Sequence, residues 1–270
     1  MKRSILQFVL LAAFATLALA QAPAPTYADA RTALQKRDFE GAAKILRTLA
    51  DGGMAQAQSA LGAMYAQGLG VKQDDTEAFK LFQKAAAQGW AEGQVALAVA
   101  LNEGKGTTKN PTEAVSWLQK AAAQDFPPAH YFMGDALRDG KGVKKDPAQA
   151  FAAYKKAAEK NFPAAMFEVG IMYQQGVGVA KDPEAGMTMI RQAASRYYGK
   201  ALVKLGMMYD MGESGLAKDP IEAYKYFSLA AMRQDEDAIA AIKNLTARLS
   251  PEQVEKGKAT VEEYLKSRAQ

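Results

Sequence analysis

The chain has 270 residues, 49% of them hydrophobic and 23% charged, with a formal net charge of +5. That is enough apolar material for a sizeable core, and the basic residues are spread along the chain without dense runs, which argues against a dedicated nucleic-acid ligand. There is no cysteine, which excludes disulfides, thiolate metal sites and a cysteine nucleophile.

In chain order, residues 1–20 stand apart. Lys2 and Arg3 open the chain, Ile5 to Leu19 is mostly apolar, and Ala18-Leu19-Ala20 is a small-residue cleavage pattern. This reads as a secretory signal peptide cut after Ala20, so the mature protein is expected in the periplasm or secreted. The apolar stretch is short for a membrane span, Pro23 and Pro25 follow at once, and no later run is long enough to cross a bilayer. No cysteine at the cleavage point excludes a lipid-anchored lipoprotein. Without Lys2 and Arg3 the remainder carries 32 basic and 29 acidic residues, a net charge of +3. Residues 21–26 read as a short linker.

From residue 27 the pattern becomes helical. Residues 27–54 are expected to form an N-terminal capping hairpin with Asp38 at its turn, because Ala42, Leu46 and Ala50 lie 36 positions before Ala78, Phe82 and Ala86. Over residues 55–236 alanine pairs recur at Ala85-Ala86, Ala121-Ala122, Ala157-Ala158, Ala193-Ala194 and Ala230-Ala231, at intervals of 36, 36, 36 and 37 residues. Gly68, Gly104, Gly140, Gly176 and Gly212 keep the same beat, as do Tyr65, Leu101, Leu137, Tyr173 and Tyr209. A fixed period of this length means stacked supersecondary units that bury apolar faces only against one another.

Within each unit, Ala57, Leu61 and Tyr65 share one face of a first helix. The position of Gly62 recurs as Ala98, Gly134, Gly170 and Gly206, small residues that admit a close second helix. A Gly-x-Gly turn follows at Gly68-Leu69-Gly70 and its three successors, and one residue is inserted in the fifth unit, Gly212-Glu213-Ser214-Gly215. Second helices start at Asn110-Pro111, Asp146-Pro147, Asp182-Pro183 and Asp219-Pro220, where the polar side chain caps and proline suits the first helical position. One such carboxylate per unit is too few for a calcium site. Gly186 replaces an inward alanine and is expected to loosen its helix. Residues 237–270 read as two capping helices, with Ser250 and Pro251 starting the second.

The combination A-x-x-x-L-G-x-x-Y-x-x-G-x-G-V-x-x-D followed by A-x-x-x-[FWY]-x-x-A-A resembles the Sel1-like repeat, a relative of the tetratricopeptide repeat. The fourth unit carries it as Ala165, Val169-Gly170, Tyr173, Gly176, Gly178-Val179, Asp182 and Ala193-Ala194. The resemblance implies an all-α, right-handed α/α superhelical solenoid whose first helices line a concave groove. It also implies a non-catalytic adaptor role in the bacterial cell envelope, with another protein or peptide segment as partner and no cofactor.

Taking Leu61, Gly62 and Tyr65 as core, the groove stripe passes through positions 59, 63 and 66 of each unit. The N-terminal stretch of that stripe is small and bland, whereas units three to five carry Tyr131, Asp135, Arg138, Phe167, Ile171, Gln174, Met207 and Asp210. Aromatic and flexible apolar groups beside an arginine suit an extended peptide or a partner helix, so these residues form the expected binding site. The single histidine, His130, is expected on the surface or in the groove and not in catalysis, since no triad or zinc set accompanies it. Two alternatives stay open. One is a hydrolase on cell-wall or β-lactam substrates, as assigned to relatives with paired cysteines in each repeat. The other is a peptidoglycan-binding module using the groove aromatics.

Overall fold

Helix boundaries follow from capping chemistry at both ends of each element. In the computed structural model, which describes residues 24–269, the Asp74, Asn110, Asp146, Asp182 and Asp219 side chains each accept backbone N–H bonds from the first turn of a second helix. The expected leader, 1–20, lies outside the described residues. First helices end at Gly68, Gly104, Gly140, Gly176 and Gly212, all left-handed, so the next N–H turns back to the helix's last carbonyls. Asp38 caps the second helix of the first hairpin, and Ser250 with Gln253 forms a reciprocal capping pair ahead of the last helix.

The described residues form fourteen helices and no strand. Helices α1 (Tyr27–Gln35) and α2 (Phe39–Asp51) make the N-terminal hairpin. Five repeats follow: α3 (Ala55–Gln67) with α4 (Asp75–Ala87), α5 (Ala91–Glu103) with α6 (Pro111–Ala122), α7 (Pro127–Asp139) with α8 (Pro147–Glu159), α9 (Pro163–Gln175) with α10 (Pro183–Ser195), and α11 (Gly199–Met211) with α12 (Pro220–Ala231). Helices α13 (Glu236–Thr246) and α14 (Pro251–Ala269) close the array.

Each first helix packs on its own second helix and on the second helix of the preceding repeat. In the N-terminal half α3 also rests directly on α5, and α5 on α7; no comparable approach joins α7 to α9 or α9 to α11. The second helices meet the next repeat through its first helix. The first helices therefore form the inner wall, and its spacing widens where Tyr131 and Phe167 stand in the row of Ser59 and Val95, and Asp135 in the row of Ala63 and Val99.

Two glycine positions explain the close stacking. Gly134 sits under Tyr154, where a Cβ would fall 2.6 Å from the ring, so only a residue without a side chain admits that tyrosine. Gly142, at φ +72°, lies on the first turn of the preceding repeat's second helix, and a Cβ there would overlap the Pro111 carbonyl. Gly70, Gly106 and Gly178 repeat the arrangement, but Gly215 meets nothing, so the inserted residue in unit five lifts that turn off its neighbour.

One expectation, that for His130, needs correcting. Gly186 sits within an unbroken helix. It faces Gly170 backbone to backbone, and a Cβ on it would lie 2.7 Å from the Gly170 carbonyl oxygen, so the two glycines allow α9 and α10 a very close approach. His130 is neither on the surface nor in the groove. It is buried at the joint between the second and third repeats, with Nε2 3.4 Å from Asp125 Oδ1. Finally, α14 follows α13 in the chain but packs elsewhere. It folds back on α12, with Gly257 against the Tyr224 ring and Val261 buried.

Candidate functional site

The expected binding residues lie on the first helices, and the structure divides them into three groups. The first surrounds Arg138. Its guanidinium sits 2.9 Å from Asp139, 3.1 Å from Asp135 and 3.3 Å from Glu168 of the next repeat. Asp135 also accepts a 2.6 Å bond from the hydroxyl of Tyr154, which is fully buried. The Tyr131 ring packs against Phe132, Tyr154 and Phe162, and Phe167 packs against Tyr198.

The electrostatics follow from this enclosure. Burial pushes the Asp135 and Glu168 carboxyls above their ordinary values; the Tyr154 hydroxyl and Arg138 oppose the shift at Asp135, and Arg138 opposes it at Glu168. Asp139, nearer solvent, is instead held low by its hydrogen bond to Arg138. Burial likewise raises the phenols of Tyr131 and Tyr154. Arg138 is therefore engaged by a carboxylate cluster belonging to its own protein.

The second group is Asp210, which stands apart. Its Oδ2 is 2.7 Å from Arg248, a residue of the C-terminal cap, while Oδ1 is buried without a hydrogen-bond partner among the described residues. Gln174, one repeat earlier in the same row, likewise has a buried amide nitrogen without a partner among them. The third group is apolar: Ile171 is partly buried against the core, and Met207 remains 39% exposed.

Glu168, Tyr154 and Tyr198 were not among the expected site residues. Tyr154 reads in the sequence as an inward core residue, which it is, but its hydroxyl crosses to the groove side. Glu168 stands in a row otherwise occupied by Ala60, Ala96, Phe132 and Lys204, and that departure is the one signal for it. Among the described residues no group of three or more His, Asp or Glu is arranged to hold a metal ion, and no helix is long and apolar enough to cross a membrane.

The Sel1 repeat model matches five consecutive segments, residues 55–90, 91–126, 127–162, 163–198 and 199–235. Among solved structures, the chain is similar to a Sel1 repeat protein from Oxalobacter formigenes at 30% identity and TM-score 0.67, covering 81% of this chain and 87% of that one. Immunity protein Pa5087 from Pseudomonas aeruginosa shares the fold at 22% identity and TM-score 0.56, with 78% and 81% covered. So does a Sel1 repeat protein from Klebsiella pneumoniae subsp. pneumoniae, at 19% identity and TM-score 0.52, with 76% and 99% covered. No curated protein matches the chain.

Proposed function

This chain belongs to the Sel1 repeat family, whose members are in general non-catalytic scaffolds for protein–protein interaction, and from that premise we propose that it is an exported scaffold holding a peptide segment of another protein against its inner wall. The observation that carries this reading is the uncovered apolar surface of the first helices in repeats three to five. Tyr131, Phe167 and Ile171 are only partly buried after the core is complete, and Met207 is open to solvent. Large groups of this kind, ringed by charge, are what interface anchors are made of. Export rests on the leader at residues 1–20, and amino-terminal sequencing of the protein from its native host should begin at Gln21.

Arg138 and Asp210 hold neighbours within the protein, so changing them would disturb the fold as well as a ligand. Met207 is the cleaner probe. With a partner identified by crosslinking in the native envelope, Met207→Glu should weaken its binding about tenfold, in the range of an interface anchor. Unchanged affinity would remove the groove of repeats three to five from the binding surface.

A further inference from the structure

The small residues at the N-terminal end of the groove leave two clefts. One lies between repeats one and two; the other lies between repeats two and three. Each of the twelve residues lining the first has its counterpart 36 positions later in the lining of the second, so the two are one site repeated. Ala63 becomes Val99, Ala66 becomes Asn102, and Phe82 becomes Leu118. Val99 and Glu103 line both clefts, which makes them neighbouring compartments of one trough crossing α3, α5 and α7.

The third copy of this position shows what fits it. Between repeats three and four Arg138 replaces Asn102, its guanidinium 6.0 Å from the centre of the Tyr154 ring that replaces Leu118, and its charge meets Asp135 and Glu168. There the chain seats a long basic side chain of its own on an aromatic floor beside carboxylates. The first cleft keeps the aromatic floor, Phe79 and Phe82, but Ala63 and Ala96 stand where Asp135 and Glu168 would be, and its acids, Asp75 and Glu103, sit at the rim with Lys105. Glu103 is held 2.7 Å from Lys105, whose charge also acts on Asp75, while the Asp75 carboxylate itself makes no ion pair or side-chain hydrogen bond among the described residues. In the second cleft the acids Asp135 and Asp139 are already bound by Arg138 and Lys141, so its polar rim is paired within the chain and its floor is Leu118, Val115 and Phe132.

Resting on the scaffold reading above, we propose that this trough is the specificity site, and that its occupant is an extended peptide with an arginine or lysine in the first cleft and a large apolar side chain in the second, three residues apart. The basic head meets the Asp75 carboxylate while its aliphatic stem lies on Phe79 and Phe82. The spacing follows from the helices. Packed helix axes lie about 8–10 Å apart, and three residues of extended chain span about 10 Å. A peptide crossing the inner wall therefore presents residues i and i+3 to successive clefts.

The test is a selection of displayed random dodecapeptides against the chain from Gln21 onward, followed by affinity measurements on synthetic copies of those enriched. Enrichment of sequences with a basic and an apolar residue three apart is expected. Asp75→Asn and, separately, Val99→Trp, which fills the wall common to both clefts, should each weaken such a peptide at least tenfold, while Lys256→Ala, exposed on the last capping helix, leaves it unchanged. Circular dichroism distinguishes a lost site from a lost fold for Val99→Trp, and Asp75→Asn, at the rim, tests the basic position independently. Peptides sensitive to Met207→Glu but indifferent to both cleft variants would overturn this proposal and leave the scaffold reading standing. No enrichment at all would sink both.

Discussion

The joints between the first three repeats and those between the last three share a backbone plan and are filled in opposite ways. At the N-terminal joints Gln58 donates to the Ala50 carbonyl and accepts from Gln88, and one repeat later Gln94 donates to Ala86 and accepts from Gln124. The next position along the row is His130, beside Asp125, which also takes Lys160; after it come Met166 and Leu202, both buried and apolar. On the groove side the order is reversed. Small residues leave open clefts at the first two joints, and the third is closed by Arg138, Tyr154 and Glu168. Every helix satisfies its own backbone hydrogen bonds, so a joint needs only matched shape and paired polar groups, and both ways of filling it serve.

The turns give the sharpest contrast between the two halves. Gly142→Ala would put a methyl group into the Pro111 carbonyl at a left-handed backbone position, and should cost about 3–5 kcal/mol, read as a fall in the urea midpoint. Gly215→Ala in the fifth repeat, where the turn touches nothing, should cost only the left-handed backbone, about 1–2 kcal/mol. Equal losses would mean the inserted residue does not free that turn.

Arg138→Met probes the closed joint and should destabilise by about 1–2 kcal/mol near neutral pH, a modest figure because the guanidinium is partly open to solvent. The pH dependence carries a definite sign. Burial raises the Asp135 and Glu168 carboxyls, so the folded chain holds their protons more tightly than the unfolded chain. The stability they contribute is complete below their ordinary values of 3.8 and 4.5 and is lost as pH rises through the raised folded values. Removing the Arg138 cation raises those values further, so the variant should lose more stability than the parent between acid and neutral pH. Parallel pH profiles of the two proteins would contradict this.

Smaller effects test the open joints. Gln94→Leu, which imports the apolar solution used at Leu202, removes one of the donors to the Ala86 carbonyl, which keeps the Gly89 N–H, and the acceptor of the Gln124 amide, and should cost about 1 kcal/mol. Ala66→Leu, which fills part of the first cleft, should change stability by less than about 0.5 kcal/mol, because the space it enters is solvent. A large loss there would show that the cleft wall cannot accept added volume.

Much of this architecture is legible in the residues. Asp146-Pro147 and its counterparts announce helix starts, Gly140 and its counterparts announce stops, and the 36-residue beat requires a stack. The groove stripe is legible too, since helical spacing alone puts Tyr131, Asp135 and Arg138 in one column. Its occupancy is not. Arg138 reads as a free groove charge until Glu168, thirty residues on, is seen beside it, and Asp210 reads the same way until Arg248 reaches it from the cap. The bland stretch through Ala63 and Ala66 reads as empty of interest, whereas the fold turns its emptiness into space.

Periodicity, capping residues and small-residue positions are local or strictly repeating signals, so the sequence by itself determined fourteen helices paired into units and the face each unit turns inward. Which side chains meet across a joint was decided only in the folded stack, because the partners lie some 19 to 38 residues apart and the same spacing of 30 joins different helices at Gln58–Gln88 and at Arg138–Glu168. Whether a joint closes or stays open depends on the volumes of several residues from three helices packed at once, and that sum exists only in three dimensions.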